Sequence, residues 1–378
     1  MAQANINTKM LKWARERVGF AVPEFAKKCG IKPERLEEWE AGQAPLTFNQ
    51  AMTFADKAHI PFGYLFLPTP PADELPIPDL RTLGGEGVFR PSAELLDIVK
   101  LMQERQAWYK DYLKQQLAEP CQVVGRFSVK DGKQAVVADM RKKLGVAEHP
   151  SRGKWVDYYR DLVSKIEFVG ILVMRQSDLG HFTRPLLVSE FRGFAISDDY
   201  APIIFVNHAD APGARLFTLI HELCHIWLGK SGVSDGNTQN HRQEEVFCNA
   251  VAAEFLVPEH EFVALWQNGC ESWQDNLGPL EAHFHVSTWV LARRALTVGF
   301  ITEYEYSNYI ATQKAINKNK GDGGPTYYRT KKSQISQSFS KAIIQQAMSG
   351  QMLMRDAGFL LGNMKPAQIP KFAKEFGF

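Results

Sequence analysis

Two histidines four residues apart, with a glutamate beside the first, are the side chains in this sequence best suited to chemistry. The stretch from Leu216 to Gly229 reads LFTLIHELCHIWLG and contains His221-Glu222-Leu223-Cys224-His225. On an α-helix, residues four apart lie on one face a turn from each other, so both imidazoles can converge on one ion. Glu222 would then point beside that ion, where a carboxylate suits the part of a base acting on metal-bound water. The same letters also describe an amphipathic core helix whose histidines are satisfied by backbone or carboxylate partners. A hydrolytic zinc needs a third protein ligand and one open position. The next helical stretch, Gln243 to Pro258 (QEEVFCNAVAAEFLVP), can supply a carboxylate. Glu245 and Asn249 share a face there, Glu244 is a rival ligand, and small Ala252 and Ala253 allow a neighbouring helix to approach closely.

Those two helices must be held against something. Three β-branched and aromatic runs precede them, IEFVGILVMR, LLVSEFRGFAISD and APIIFVN, bounded by turn residues, and they read as strands of a small sheet. Residues 135–165 read as helical. Pro91 to Leu117 has Leu95, Ile98, Leu101 and Met102 at helical spacing and predicts a long amphipathic helix. Upstream, residues 7–67 carry five short helical patterns, with Pro23 and Pro33 in first turns and Gly30 and Gly42 at stops. Between them, PTPPADELPIPDLRTLGGEG (68–87) is too rich in proline for regular structure and predicts a spacer, or a strap lying on a neighbouring surface. The chain is mainly helical after the metal motif, interrupted by the basic, glycine-rich KNKGDGGPTYYRTKK at 318–332; two or three small helices are expected beyond it. That stretch lacks the order of residues that cradles a nucleotide phosphate.

A chain of 378 residues exceeds one ordinary core and predicts two or three domains. The formal charge of +2 neither requires nor excludes a polyanionic partner. Five scattered cysteines give no disulfide framework and fit reduced thiols. There is no apolar signal-peptide core and no apolar run long enough for a bilayer, so a cytoplasmic location is expected.

The run ARLFTLIHELCH, preceded by PIIFVN and followed by EEVFCNAVAAEFLVP, resembles the ImmA/IrrE family of metallopeptidases. The upstream helices resemble the Cro/repressor-type (XRE) helix-turn-helix module often fused to that peptidase. The resemblance implies that His221, His225 and Glu245 bind zinc and that Glu222 is the general base. It favours Glu245 over Glu244 because the family pattern ExxxN places the ligand one turn before Asn249, which would orient a ligand from the next shell outward. Cys224 departs from the family, which more often has glycine there, and Cys248 follows Glu245 by one turn; either thiol could compete for metal or serve as a small buried apolar residue. The donor for a tetrahedral oxyanion is not legible; His208, His241 and His285 qualify by residue type alone.

The resulting fold class is α+β and mainly helical. A helix-turn-helix bundle (1–68) and a proline-rich linker (69–90) lead to a helical connector (91–149). A zincin-like peptidase domain with a small β-sheet (150–310) and a helical C-terminal region (311–378) follow. In the N-terminal module, helix 22–29 and helix 33–40 would form the motif, with Ala26 at their crossing, Leu36 and Trp39 in the core, and Lys27, Lys28, Lys32, Glu34 and Arg35 facing double-stranded DNA. Helix 33–40 carries Glu34, Glu37, Glu38 and Glu40 against Arg35 alone, so a basic stripe is missing. Arg329, Lys331 and Lys332 offer either a nucleic-acid contact or a solvated basic loop. The family setting implies a zinc endopeptidase of narrow specificity acting on a repressor- or antitoxin-like protein in stress response, mobile elements or phage, with a homodimer possible. Two other readings remain: a transcription factor with a structural or sensory zinc, and an antitoxin-like or phage-defence component acting by protein binding.

Overall fold

The computed structural model describes residues 4–72, 74–79, 91–151, 153–181, 183–234, 243–317 and 327–378. Contacts divide the chain into two compact units, Met1–Pro76 with Val88–Val99, and Ile77–Gly87 with Lys100–Phe378.

In the first unit, α1 (Thr8–Arg17), α2 (Val22–Cys29), α3 (Pro33–Glu40) and α4 (Phe48–Lys57) enclose one apolar core. Asn7 caps α1 by accepting from the Lys9 amide, and Thr47 with Gln50 forms a capping box on α4. Gly30 closes α2 at φ +70°, a left-handed conformation that glycine adopts without steric cost. Phe25, Ala26, Leu36, Trp39 and Phe54 are buried, as the helical spacing requires. The fifth expected helix is a short 3₁₀ turn (Phe62–Phe66), pinned by the Asn7 amide on Leu65 and the Asn7 side chain on Leu67. Five residues cannot sustain an α-helix at the end of a chain segment fixed from the other side.

The second unit takes in most of the long α5 (Ala93–Gln115), then α6 (Lys133–Leu144) and α7 (Trp155–Phe168). The expected helix over 135–165 is thus two, broken by Gly145 at φ +62°. α7 absorbs Ile166-Glu167-Phe168, which the sequence reading placed in a strand; Gly170 at φ +97° ends the helical course, and β1 begins only at Leu172. The sheet has the order β1 (Leu172–Gln176), β3 (Ile203–Asn207), β2 (Gly193–Ile196), β4 (Gly232–Ser234). β1 and β3 are parallel and the other two pairs antiparallel. Every sheet residue is buried, which is why these strands read as continuous apolar runs rather than alternating ones. The proline-rich stretch touches the outer edge of β4, where Pro78 accepts from the Val233 amide at 3.0 Å and Asp79 bridges to Val233.

Against the sheet lies α8 (Pro212–Trp227), and against α8 lies α9 (Gln243–Leu256). They are followed by α10 (Glu259–Leu265), α11 (Leu277–Phe284), α12 (Thr288–Val298) and α13 (Glu303–Asn317). Four helices close the chain: α14 (Tyr327–Gln334), α15 (Gln337–Met348), α16 (Met354–Leu360) and the short α17 (Ile369–Ala373). The carboxylate of Glu167 on α7 accepts from the amide of Gln337, so a residue far back in sequence satisfies the first turn of α15. No helix among the described residues is long and apolar enough to cross a membrane.

Candidate metal centre

Helix α8 starts at Pro212, whose missing N–H costs nothing at that position, and ends where Gly229 turns left-handed. Leu219, Ile220, Leu223, Ile226 and Trp227 are wholly buried between sheet, α6, α7 and α9. Burying each such side chain contributes about 1.5–3 kcal/mol, ample to hold a helix with polar residues on one remaining face. That face carries His221, Glu222 and His225, which are themselves 2%, 0% and 0% exposed.

The small Ala252 and the thiols of Cys224 and Cys248 let α9 approach α8 closely, and all three are buried. Burial raises the Cys248 thiol well above its ordinary value, with neighbouring Cys224 adding to the rise, so Cys248 behaves as a small apolar group rather than a thiolate ligand. The approach brings the Glu245 carboxylate between the imidazoles. Its Oε1 lies 2.9 Å from His225 Nε2, its Oε2 3.2 Å from His221 Nε2, and the two Nε2 atoms are 3.2 Å apart. Donors about 2.0–2.1 Å from a tetrahedral zinc are about 3.3 Å from one another, so these separations fit one ion held by all three. Glu245 Oε1 has no hydrogen-bond partner among the described residues despite its short distance to His225, as expected of co-ligands aimed at a common point rather than at each other. His221 Nδ1 is 3.1 Å from Asn249 Oδ1; with that ring nitrogen donating, Nε2 keeps its lone pair for a metal. Glu244, by contrast, is half-exposed and lies 3.5 Å from Lys230 Nζ.

Glu222 shares the helix but not the ligand triangle. It is wholly buried, and neither carboxylate oxygen has a hydrogen-bond partner among the described residues. Burial, reinforced by the charge of Glu245, drives its carboxyl well above the usual range; the hydroxyl of Ser234 on β4 opposes this only weakly. The space it occupies exists because β2 has glycine opposite: a Cβ on Gly193 would sit 2.9 Å from Glu222 Oε1 and 2.7 Å from Thr218 Cγ2.

A cleft opens over His221 and Glu222, walled by Thr218, Ser234, Trp289, Arg293 and Tyr306 among others. Arg293 lies over the rings of Phe217 and Tyr306, and its buried Nη2 has no partner among the described residues. Neither Arg293 nor Tyr306 was singled out by the sequence; each is one polar residue in an amphipathic helix, and only the packing of α12 and α13 brings them to the metal centre. Of the three histidines considered for that place, His208 packs with Arg215 in a different cleft, His285 bonds the Gly153 carbonyl at the end of α11, and His241 lies outside the described residues. A second trio, His149, Glu261 and His283, also brings ligand atoms together, but it is half-buried where the first is wholly buried.

Residues 174–296 match the family model described as the IrrE N-terminal-like domain. The matched segment runs from β1 to α12 and contains all of His221, Glu222, His225, Glu245 and Asn249. The match supports a metallopeptidase-type enzyme. Residues 335–375, covering α15 to α17, match a domain of unknown function, DUF8813. No curated protein and no solved structure matches the chain.

Proposed function

We propose that the chain is a zinc-dependent endopeptidase of narrow specificity that hydrolyses a repressor- or antitoxin-like regulatory protein. The observation that carries this reading is the buried triangle of His221, His225 and Glu245 with Glu222 beside it at the floor of an open cleft. His221, His225 and Glu245 hold the ion, and Asn249 fixes the tautomer and orientation of His221. Bound there, zinc supplies Lewis acidity that acidifies water and polarises a peptide carbonyl. Glu222 takes the proton on its carboxylate and delivers it to the departing amine. Arg293 and Tyr306 are placed to steady negative charge on the carbonyl oxygen.

The N-terminal unit is read as a DNA-reading helix-turn-helix. Lys27, Lys28, Lys32, Glu34 and Arg35 are all exposed. Tethering a DNA reader to a protease raises the local concentration of a DNA-bound substrate, so a modest catalyst suffices.

The test is Glu222→Gln and His221→Ala beside the unaltered chain, with metal content and cleavage of the co-expressed regulator measured together. Expected are roughly one zinc per chain for the wild type and for Glu222→Gln, none for His221→Ala, and cleavage by the wild type alone. Undiminished cleavage by Glu222→Gln refutes the enzyme; full zinc in His221→Ala refutes the site.

A further inference from the structure

A second cleft of the same unit is lined by Trp155, Tyr159, Arg175, His208, Arg215 and Lys332, with the first turn of α8 and Glu375 also in its wall, and it encloses about 1410 Å³ of space partly open to solvent. Its charge is unbalanced. Arg175 is 9% exposed, its Nε has no hydrogen-bond partner among the described residues, and no described carboxylate lies within ion-pair distance of it. Arg215 is likewise without a carboxylate: its Nε donates to the Asp210 backbone carbonyl at 2.8 Å and its Nη1 lies 3.0 Å from His208 Nε2. The acids nearby are otherwise engaged. Asp210 pairs with Arg192, Glu167 accepts from the Gln337 amide, and Asp157 pairs with Arg160 at the rim. Lys332 Nζ rests on the backbone carbonyl of Glu375, leaving the Glu375 carboxylate as the one acidic group in the wall.

Arg175 is kept out of water and half-buried Arg215 lies beside it, with only the Glu375 carboxylate in the wall, an arrangement that an added anion would stabilise. Burial and the two arginines depress His208 to about 3, so the imidazole is neutral and accepts from Arg215 rather than adding positive charge. The buried hydroxyl of Tyr159 has no hydrogen-bond partner among the described residues, and the Arg175 guanidinium lies 6.0 Å from that ring's centre. Forked donors, a lysine and the positive end of a helix together suit a tetrahedral dianion better than a single carboxylate. Trp155 and Val156 add an apolar wall beside them.

We propose that this cleft binds a phosphate-bearing small ligand of nucleotide size, held through its phosphate by Arg175, Arg215 and Lys332. The cleft lies between α7, β1 and α8 on one side and α14, α15 and Glu375 on the other, so it joins the IrrE-like segment to the C-terminal helices. Because α8 carries Arg215 six residues before His221, an occupant would bear on the helix that holds the metal ligands.

Isothermal titration of the full chain with inorganic phosphate, adenosine 5′-monophosphate and citrate tests this independently of the peptidase reading. Expected is binding of the nucleotide, weakened at least tenfold in Arg215→Gln and in Lys332→Glu, and unchanged in His221→Ala, which separates this cleft from the metal centre. Binding of inorganic phosphate as well supports the phosphate site and shows that the nucleoside body adds little. Lys332→Glu changes a partly exposed residue, so the proposal stays testable should an arginine variant fold poorly. Absence of heat with both phosphate compounds, citrate binding as tightly as the nucleotide, or undiminished nucleotide binding in Arg215→Gln and Lys332→Glu overturns it.

Discussion

Glu222 and Glu245, neighbours in one buried site, have opposite electrostatics. Burial works to raise Glu245, but contact with His221 and His225 outweighs it and holds the carboxyl at about 2. Glu222 has no such partner and is driven up by burial and by Glu245 itself. In the metal-free chain a group whose folded value is raised above 4.5 contributes stability that is present below that pH and lost as pH climbs through the folded value. Glu222→Gln removes that loss. In chelator, its urea midpoint should therefore draw ahead of the wild type as pH rises from about 5 to about 8, and parallel curves would show that Glu222 carries no such burden. Gly193 is the second residue on which the site turns. An added methyl would lie 2.8 Å from the Phe205 carbonyl as well as against Glu222 and Thr218. Gly193→Ala is expected to cost about 1–3 kcal/mol in denaturant melts and to reduce cleavage while zinc content stays near one per chain. Full activity with wild-type stability would mean that the strand simply moves away.

At the scale of elements, α8 and α9 were readable because their polar residues recur a turn apart on otherwise apolar stretches; α9 is helical from Gln243, where the described residues resume, to Leu256. The shorter elements were not. β4 is three residues with no period to detect, and the α7–β1 junction hides in IEFVGILVMR because isoleucine, phenylalanine and valine serve a buried helix face and a buried strand equally well. Choosing Glu245 over Glu244 needed the family pattern; in the structure the reason is physical, since one side chain turns into the α8–α9 interface and the other toward Lys230. Asn249 belongs to that interface too. Asn249→Ala leaves α9 intact but frees the His221 ring, so competition with a zinc chelator should show affinity weakened about 10–100-fold. A loss below twofold would make Asn249 a packing residue only.

For the molecule as a whole, the sequence showed that modules exist but not how distant charges meet. Arg175, Arg215 and Lys332 come from β1, α8 and α14, and no linear motif joins them. The N-terminal unit illustrates the same limit. Four glutamates on α3 spoke against a basic DNA surface, yet Glu40 is turned inward to a two-pronged pair with Arg15 at 2.7 and 2.8 Å, and Glu38 is paired with Arg35. Arg35 is thereby neutralised as well, which leaves Lys27, Lys28 and Lys32 as the exposed cations from the proposed set, against exposed Glu34 and Glu37. Three lysines can neutralise at most three phosphates, so affinity for duplex DNA should fall only about 40-fold between 50 and 200 mM salt, a slope near −2.7. The measurement is fluorescence anisotropy of a labelled duplex titrated with the full chain across that range, repeated with all three lysines changed to glutamate. A slope steeper than about −5 would place the DNA contact on a larger basic surface than these three lysines, and unaltered binding by the triple variant would remove α2 and α3 from DNA altogether.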